Sequence, residues 1–236
     1  MKNFKVVMFD LDGTLLPMEQ EEFIAAYFGA LSAKLTDVGY EPKALINSVW
    51  QGTKAMIKND GAKTNEQVFW DEFTRIYGES ARSDLPHFDK FYRDDFIKVK
   101  AVCGYNPASA NAVKKVKEMG YRVVLATNPI FPRTATRQRA EWAGLSLDLF
   151  EIVTTYENSR YSKPNPLYYT QIISALGVKP HECLMVGNDV YEDIFAGQQA
   201  GMSTFLITDC VLNDKKLNLP DVPSGNFDDL IEWLEK

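Results

Sequence analysis

Residues 6–14 of the chain read VVMFDLDGT, an unbroken apolar run that stops abruptly at two aspartates separated by one leucine. Four consecutive apolar residues, two of them β-branched, predict a short strand buried on both faces, as in the middle of a parallel sheet. The polar sequence DLDGT at residues 10–14 predicts a loop at the carboxyl end of that strand. No partner strand lies nearby in the chain, so the sheet must be completed by strands further along.

From about residue 103 onward, apolar runs alternate with amphipathic segments. The predicted strands are 122–126, 151–154, 183–186 and 203–207, and the predicted helices are 107–119, 133–142, 166–176, 191–200 and 227–235. Several of these helices are followed directly by glycine, which commonly ends a helix. Strands that alternate with helices of this length indicate right-handed βαβ units, so we expect an α/β fold with a parallel sheet.

Residues 19–100 have a different pattern, because apolar residues recur at helical spacing and no strand-like run interrupts them. The first group with this spacing is Phe23, Ile24, Tyr27, Leu31 and Leu35. The periodicity predicts about four amphipathic helices. They would form an insertion into a single α/β domain, with the core at residues 1–16 plus 104–236 and the insertion at residues 17–103.

The composition limits the partners of the protein. Its 236 residues include 26 Lys and Arg against 32 Asp and Glu, a net charge of −6. We expect no nucleic-acid partner, because binding to a phosphate backbone needs an excess of Lys and Arg. Cys103, Cys183 and Cys210 form no CxxC pair, which favours reduced thiols in the cytosol. No segment approaches the roughly 18 apolar residues of a membrane span. We expect a cytoplasmic protein without a membrane partner, either monomeric or homodimeric.

Polar residues follow four of the predicted strands, at the edge where open parallel sheets bind their ligands. They are Asp10, Asp12 and Thr14 after the first strand, Thr127 and Asn128 after the second, Ser162 and Lys163 in the loop after the third, and Asn188, Asp189 and Asp193 after the fourth. The carboxyl ends of parallel strands lie at one edge of the sheet, so these side chains are expected to meet in one crevice.

The carboxylates of Asp10, Asp12 and Asp189 point to a divalent cation. Asp10 and Asp12 are two residues apart in an extended chain, so both side chains face the same side. Two close carboxylates cannot both be ionised without a compensating cation. Mg2+ fits, because it is typically held by one or two carboxylates together with waters and a phosphate. In a purely structural alternative, Asp10 and Asp12 cap a turn at Gly13, while Asp189 and Asp193 cap a helix.

Taken together, the four strand ends resemble the motifs of the haloacid dehalogenase superfamily of phosphohydrolases. The first motif is DLDGT at residues 10–14, the second is Thr127-Asn128, the third is Lys163 in SKPNP, and the fourth is GND at residues 187–189 with Asp193. Their order and strand placement match over essentially the whole chain. The resemblance implies a Rossmann-like, three-layer α/β/α core with an all-helical cap at residues 17–103.

By this resemblance, Asp10 would be the nucleophile that forms an aspartyl-phosphate, and Asp12 would be the general acid and then the general base. Asp10 and the backbone carbonyl of Asp12 would also bind Mg2+. Thr127, Asn128 and Lys163 would hold phosphoryl oxygens and offset developing charge. The implied activity is Mg2+-dependent hydrolysis of a small phosphorylated metabolite.

The fourth motif departs from the family pattern, which begins Gly-Asp, because Asn188 stands where the aspartate is expected. Either Asn188 binds Mg2+ through its amide oxygen, or the register shifts and Asp189 does so, with Asp193 supporting a metal-bound water. A neutral ligand would weaken Mg2+ binding, and the spacing of Asp189 and Asp193 fits the shifted register, which we favour.

Other activities of the superfamily remain open. A phosphomutase shares all four motifs, whereas a dehalogenase lacks the second acidic residue, here Asp12. A phosphonate-cleaving enzyme needs a cap lysine, for which the candidates are Lys34, Lys43, Lys54 and Lys58. A non-catalytic phospho-binding or signalling relative is disfavoured, because a receiver domain carries its phosphoacceptor after a later strand and has no comparable insertion.

The cap is expected to select the substrate and to exclude water by closing over the crevice, with hinges near residues 15–18 and 102–107. Its aromatic residues are expected mostly to pack helix on helix, and they include Tyr27, Trp50, Phe69, Trp70, Phe73 and Tyr92.

Overall fold

A computed structural model describes residues 2–219 and 221–236 of the chain. Its sheet contains β1 (Val6–Phe9), β2 (Arg122–Leu125), β3 (Ile152–Val153), β4 (Cys183–Gly187), β5 (Ser203–Ile207) and β6 (Ser224–Gly225). Across the sheet the order is β3-β2-β1-β4-β5-β6, and every neighbouring pair is parallel. The apolar run at the N-terminus thus lies in the middle, and the direction of winding reverses between β1 and β4. The fold is α/β and Rossmann-like.

Helices cover both faces of this sheet. They are α5 (Pro107–Glu118), α6 (Arg133–Trp142), α7 (Pro166–Leu176), α8 (Ala196–Gln199) and α9 (Phe227–Glu235). Because successive residues of a strand point to opposite faces, Val7 and Phe9 pack with α5, α6 and α9, whereas Val6 and Met8 pack with α7 and α8. The result is the three-layer arrangement that the sequence predicts.

The elements described between β1 and α5 are all helical. They are α1 (Gln20–Thr36), α2 (Pro42–Ile57), α3 (Asn65–Tyr77), a 3-10 segment at Glu79–Asp84, α4 (Leu85–Lys90), a π turn at Phe91–Asp95 and a second 3-10 segment at Phe96–Val102. The fourth helix is therefore broken rather than continuous. Phe91 and Phe96 are fully buried five residues apart, and the π turn, closed by the Phe96 N–H on the Phe91 carbonyl, brings both to one side.

Three other sequence predictions differ from the structure. The strand predicted at 151–154 shortens to two residues, and β6 was not predicted because it has no apolar run. The helix predicted at 191–200 divides into a π turn at Val190–Phe195 and the short α8, because the Ile194 N–H also bonds the Asp189 carbonyl. None of the described helices is long and apolar enough to cross a membrane.

The two segments that join the helical insertion to the sheet lie side by side. Met18 and Cys103 form an antiparallel bridge, and the Gly104 N–H donates to the Pro17 carbonyl at 2.7 Å. The chain therefore leaves and re-enters the α/β core at one place.

A second contact fastens the insertion to the loops after β2 and β3. Asn65, at the start of α3, is fully buried, and its Nδ2 donates to the Pro129 carbonyl and to Ser162 Oγ, each at 3.0 Å. Pro129 directly follows Asn128, and Ser162 directly precedes Lys163. The inserted helices are thus docked on two loops that carry predicted site residues.

Candidate active site

The residues predicted from the strand ends surround one cavity of about 250 Å³. Those that line it are Asp10, Asp12, Thr127, Asn128, Asn188, Asp189 and Asp193. Lys163 lies beneath this lining, bonded to two of the carboxylates. Strand pairing explains the convergence, because the Asp10 N–H bonds the Val186 carbonyl at 2.9 Å and so aligns the ends of β1 and β4. Every candidate site residue therefore lies at the predicted edge of the sheet.

Lys163 is the cation at the bottom of the site. Its Nζ lies 2.8 Å from Asp10 Oδ1 and 2.6 Å from Asp193 Oδ1, and its side chain is 1% exposed. Burial alone would lower the pKa of Lys163, but Asp10 and Asp193 outweigh it and raise that pKa well above its usual value. Burial raises the pKa of Asp193 in turn, against the opposing effect of Lys163. One fixed positive charge is therefore shared by two carboxylates.

Asp12 is held by a residue that the sequence reasoning missed. Arg139 of α6 is completely buried, and its Nη1 donates to Asp12 Oδ2 while its guanidinium lies 4.4 Å from the Phe131 ring centre. Burial raises the pKa of Asp12, although Arg139 partly counteracts this. A raised pKa favours the protonated form of this carboxyl, which is the form that a general acid needs.

Thr14 and Asn188 form a chain of contacts to Asp10. The Thr14 hydroxyl lies 3.1 Å from Asp10 Oδ2 and 2.8 Å from Asn188 Oδ1, and it can donate to either. Asn188 Nδ2 donates to the Cys210 carbonyl at 2.6 Å, which turns the amide oxygen of Asn188 toward Thr14. Gly13 has φ +83°, and a Cβ there would lie 2.4 Å from Asn188 Nδ2, so this turn requires glycine.

Asp189 takes the capping position that the structural alternative describes. Its Oδ1 accepts from the Tyr191 and Glu192 N–H groups at 2.7 and 2.8 Å. Asp193 is not a cap of this kind, because one of its oxygens binds Lys163 and the other accepts from the Asp189 N–H at 3.1 Å. The capping alternative thus applies to Asp189 and not to Asp193.

Three buried polar atoms on the strand-end residues of the cavity lack a hydrogen-bond partner within residues 2–219 and 221–236: Asp12 Oδ1, Thr127 Oγ1 and Asn128 Oδ1. Buried polar atoms are nearly always paired, so these are ready to receive a ligand or water. Asn128 Nδ2 already donates to Glu192 Oε2 at 2.9 Å, and burial raises the pKa of Glu192 to about 7. The cavity floor therefore offers two acceptor oxygens to a cation, a water or a donor group, and the Thr127 hydroxyl to an anionic oxygen.

The oxygens present suit Mg2+, which prefers hard ligands. No group of three or more His, Cys, Asp or Glu in the described part of the chain is arranged to hold a metal ion. The carboxylates of Asp10, Asp12 and Asp189 are instead engaged by Lys163, Arg139 and a helix N-terminus. A Mg2+ site would thus also need neutral oxygens, such as the Asn188 amide or the Asp12 backbone carbonyl, and the unpartnered Asp12 Oδ1 is consistent with it.

The profile of the haloacid dehalogenase-like hydrolases matches residues 4–201, which span both the sheet and the helical insertion. The chain belongs to the haloacid dehalogenase-like hydrolases.

Relatives of this haloacid dehalogenase-like hydrolase include named phosphatases. It is 27% identical over 237 residues to a phosphoglycolate phosphatase of Aliivibrio fischeri, covering 99% of this chain and 97% of the relative. It is 35% identical over 207 residues to the pyrophosphatase PpaX of Bacillus cereus, covering 86% and 82%. The crystal structure of a phosphatase of the same superfamily from Thermococcus onnurineus matches with TM-score 0.61 and 20% identity over 98% of both chains, a likeness of fold alone.

Sequence reasoning missed two residues of this hydrolase site, Arg139 and Glu192, and the contacts that Thr14 makes with Asp10 and Asn188. Arg139 had a usable signal, because it lies on the face of α6 that also carries the buried Ala135 and Trp142. An arginine on an apolar helix face needs a buried partner. Glu192 had no such signal, because acidic residues are ordinary in the first turn of a helix.

The aromatic residues of the insertion pack against one another, as expected, and most of them also line the cavity. Five of the six named from the sequence, Tyr27, Trp50, Phe69, Trp70 and Tyr92, line the cavity, although most of them pack against other rings as well. Phe73 is fully buried away from the lining. The same side chains therefore pack the insertion and line the cavity.

Proposed function

We propose that this hydrolase cleaves a small phosphate monoester by a Mg2+-dependent mechanism through an aspartyl-phosphate. The main support is the position of Asp10. It ends the central strand, one carboxylate oxygen faces Lys163, the other faces Thr14, and Asp12 opens into the same cavity two residues later. A carboxylate fixed in this way is suited to nucleophilic attack.

In the first step, a carboxylate oxygen of Asp10 bonds to phosphorus while the bond from phosphorus to the alcohol oxygen breaks. Asp12, protonated, gives its proton to that alcohol oxygen. In the second step, Asp12 takes a proton from water, the water oxygen attacks phosphorus, and the Asp10 carboxylate leaves with release of inorganic phosphate. Throughout, Lys163, the unpartnered hydroxyl of Thr127 and an N–H group of Asn128 would bind phosphoryl oxygens.

Asp10, the Asp12 carbonyl, and either Asn188 or Asp189 would hold Mg2+, with Asp193 supporting a metal-bound water. Bound Mg2+ would supply positive charge that offsets the charge of the phosphoryl group. The Asn188 amide oxygen is joined to Asp10 through Thr14, whereas Asp189 Oδ1 caps the following turn. These contacts favour Asn188, contrary to the preference drawn from spacing.

We further propose that residues 17–103 act as a cap over a core of residues 1–16 plus 104–236. The substrate would bind between the two parts, and closure would exclude water during formation of the aspartyl-phosphate. A cytoplasmic location, and a monomeric or homodimeric state without nucleic-acid or membrane partners, complete the proposal.

Release of inorganic phosphate from p-nitrophenyl phosphate, with and without Mg2+, tests the activity. We expect turnover that requires Mg2+ and is abolished in Asp10→Asn. Asp37→Asn, a change of the same kind at an exposed position at the end of α1, is the matched control and should keep full activity. Turnover that is independent of Mg2+, or undiminished in Asp10→Asn, would overturn the proposal.

The alternative activities give different results in the same assay. A phosphomutase would transfer the phosphoryl group to a second hydroxyl in preference to water, and a signalling relative would keep Asp10 phosphorylated for many minutes. A phosphonate-cleaving enzyme needs a lysine amine in the cavity, and no lysine belongs to the cavity lining among the described residues. Hydrolysis is thus the proposal with the strongest support.

A further inference from the structure

The cavity extends from the carboxylates at the strand ends up to the inserted helices, and this upper half is aromatic. The inserted rings in its lining include Tyr27, Phe28, Trp50, Phe69, Trp70 and Tyr92. Two large apolar side chains of the same lining are open to solvent, Trp50 at 38% and Ile57 at 39% exposure. Exposed apolar surface that lines a cavity is characteristic of ligand contact.

Several polar groups of the upper wall are already bonded to one another. The hydroxyls of Tyr27 and Tyr92 lie 2.8 Å apart, and the Thr53 hydroxyl donates to the Val49 carbonyl at 2.9 Å. These groups satisfy their hydrogen bonds within the protein, so the upper wall offers a ligand mainly flat apolar contact.

The charged residues of the lining are all acidic: Asp10, Asp12, Asp89, Asp189, Glu192 and Asp193. The two nearby cations, Lys163 and Arg139, lie at the bottom and are paired with carboxylates there. Asp89 of α4 is an exposed acid on the insertion side of the cavity. Within the described part of the chain, a second negative group on a substrate would meet Asp89 and no lysine, arginine or histidine of the lining.

From this wall and this charge pattern we infer the substrate class, an inference that rests on the proposed phosphatase activity. The preferred substrate is a phosphate monoester whose alcohol carries a flat apolar group and no second negative charge. The aromatic wall binds the flat group, and the acidic lining disfavours carboxylate-bearing or diphosphate substrates. Trp50 and Asp89 are the specificity-determining residues.

A matched pair of esters isolates the charge. Benzyl phosphate and 4-carboxybenzyl phosphate share the ring and the benzylic leaving oxygen, and they differ mainly in one carboxylate remote from phosphorus. We expect kcat/KM to be at least tenfold higher for benzyl phosphate, and phosphoglycolate and pyrophosphate to be poorer still. Calorimetric titration provides a readout without turnover, in which benzylphosphonate should bind at least tenfold more tightly than phosphonoacetate.

Two variants connect these preferences to residues. Asp89→Lys should reduce, at least threefold, the ratio of kcat/KM for benzyl phosphate to kcat/KM for 4-carboxybenzyl phosphate. Asp37→Lys makes the same charge change outside the cavity and should leave the ratio unaltered. Trp50→Ala should lower kcat/KM for benzyl phosphate at least fivefold relative to ethyl phosphate. Trp50 and Asp89 are both partly open to solvent, so these variants are expected to fold.

The outcomes separate this inference from the proposed function. Mg2+-dependent turnover that is equal or faster with 4-carboxybenzyl phosphate or phosphoglycolate overturns the substrate class and leaves the phosphatase activity standing. If Asp89→Lys and Asp37→Lys change the ratio of the two kcat/KM values equally, the proposed role of Asp89 is overturned. Absence of Mg2+-dependent turnover with every ester overturns the phosphatase mechanism, and the substrate class with it.

Discussion

Replacing Lys163 by methionine should destabilise the fold strongly, and by an amount that depends on pH. Methionine keeps an apolar stem of similar length but removes the cation that Asp10 and Asp193 share at 2.8 and 2.6 Å. The side chains of Asp193 and Asp10 are only 1% and 9% exposed, so water cannot solvate the two carboxylates once the lysine is gone. The variant must therefore keep two buried carboxylates close together or bind protons to them.

The size of the loss follows from the burial of these groups. Removing one partner of a buried ion pair costs about 3–5 kcal/mol. At pH 7.5 we expect the free energy of unfolding to fall by about that amount. At pH 5 the loss should be smaller, because keeping one of the two carboxyls protonated costs only about 1.5 kcal/mol. This pH is only about one unit above an ordinary aspartate pKa. The pKa of a carboxyl without its cation is raised in the folded state, so the deficit grows as pH rises.

Urea unfolding in EDTA at pH 5 and pH 7.5 measures both values, and EDTA prevents bound metal from compensating for the lost lysine. Adding Asp193→Asn to Lys163→Met should recover part of the stability at pH 7.5. Lys114→Met, at an exposed position of α5, should change stability by less than about 0.5 kcal/mol. A loss below about 1 kcal/mol for Lys163→Met at pH 7.5, or equal losses at both pH values, would refute this account.

Three further changes have defined outcomes. Arg139→Met should lower kcat for benzyl phosphate about 100-fold with little change in KM, because Asp12 loses the guanidinium that positions it. Arg139→Lys should restore part of the rate, and an unchanged kcat in Arg139→Met would contradict this role. Burial raises the pKa of Glu192 to about 7, so its ionisation disfavours the folded state as pH rises from about 4.5 through 7. Glu192→Gln should therefore be more stable than the parent protein at pH 8, by up to about 3 kcal/mol, and should lose this advantage at pH 4.5 in urea unfolding. Gly13→Ala should lower stability by about 1–3 kcal/mol, visible as a reduced Tm in calorimetry, because φ is +83° and the new Cβ meets Asn188; an unaltered Tm would argue against this turn.

The parallel sheet was predictable because its central strands are short apolar runs that end at sharp polar boundaries. The prediction was weaker at the edges. Ser224–Gly225 pairs through its backbone alone, and no side-chain pattern marks it. The broken fourth helix of the insertion was also hidden, because Phe91 and Phe96 match no α-helical spacing until the π turn brings them together.

The convergence of the site was predictable for a topological reason, since parallel strands deliver the residues that follow them to one edge of the sheet. The pairing within the site was not. Arg139 reaches Asp12 from 127 positions along the chain. The amide of Asn188 is oriented by the carbonyl of Cys210, which belongs to a loop after β5. Such contacts depend on how the helices and loops pack around the sheet, and local patterns do not encode that packing.

The paired segments at Met18 and Cys103 have a consequence for how such an enzyme can diversify. The insertion begins and ends at one point of the backbone, so the entropic cost of closing it as a loop grows only slowly with its length. Residues can be added, removed or exchanged within it while β1 and α5 keep their places. The α/β core and the inserted helices are thus connected along the chain at one seam, and the buried Asn65 contacts form a second attachment that an exchange must preserve. If the insertion selects the substrate as proposed, a foreign insertion joined at that seam should change the substrate preference.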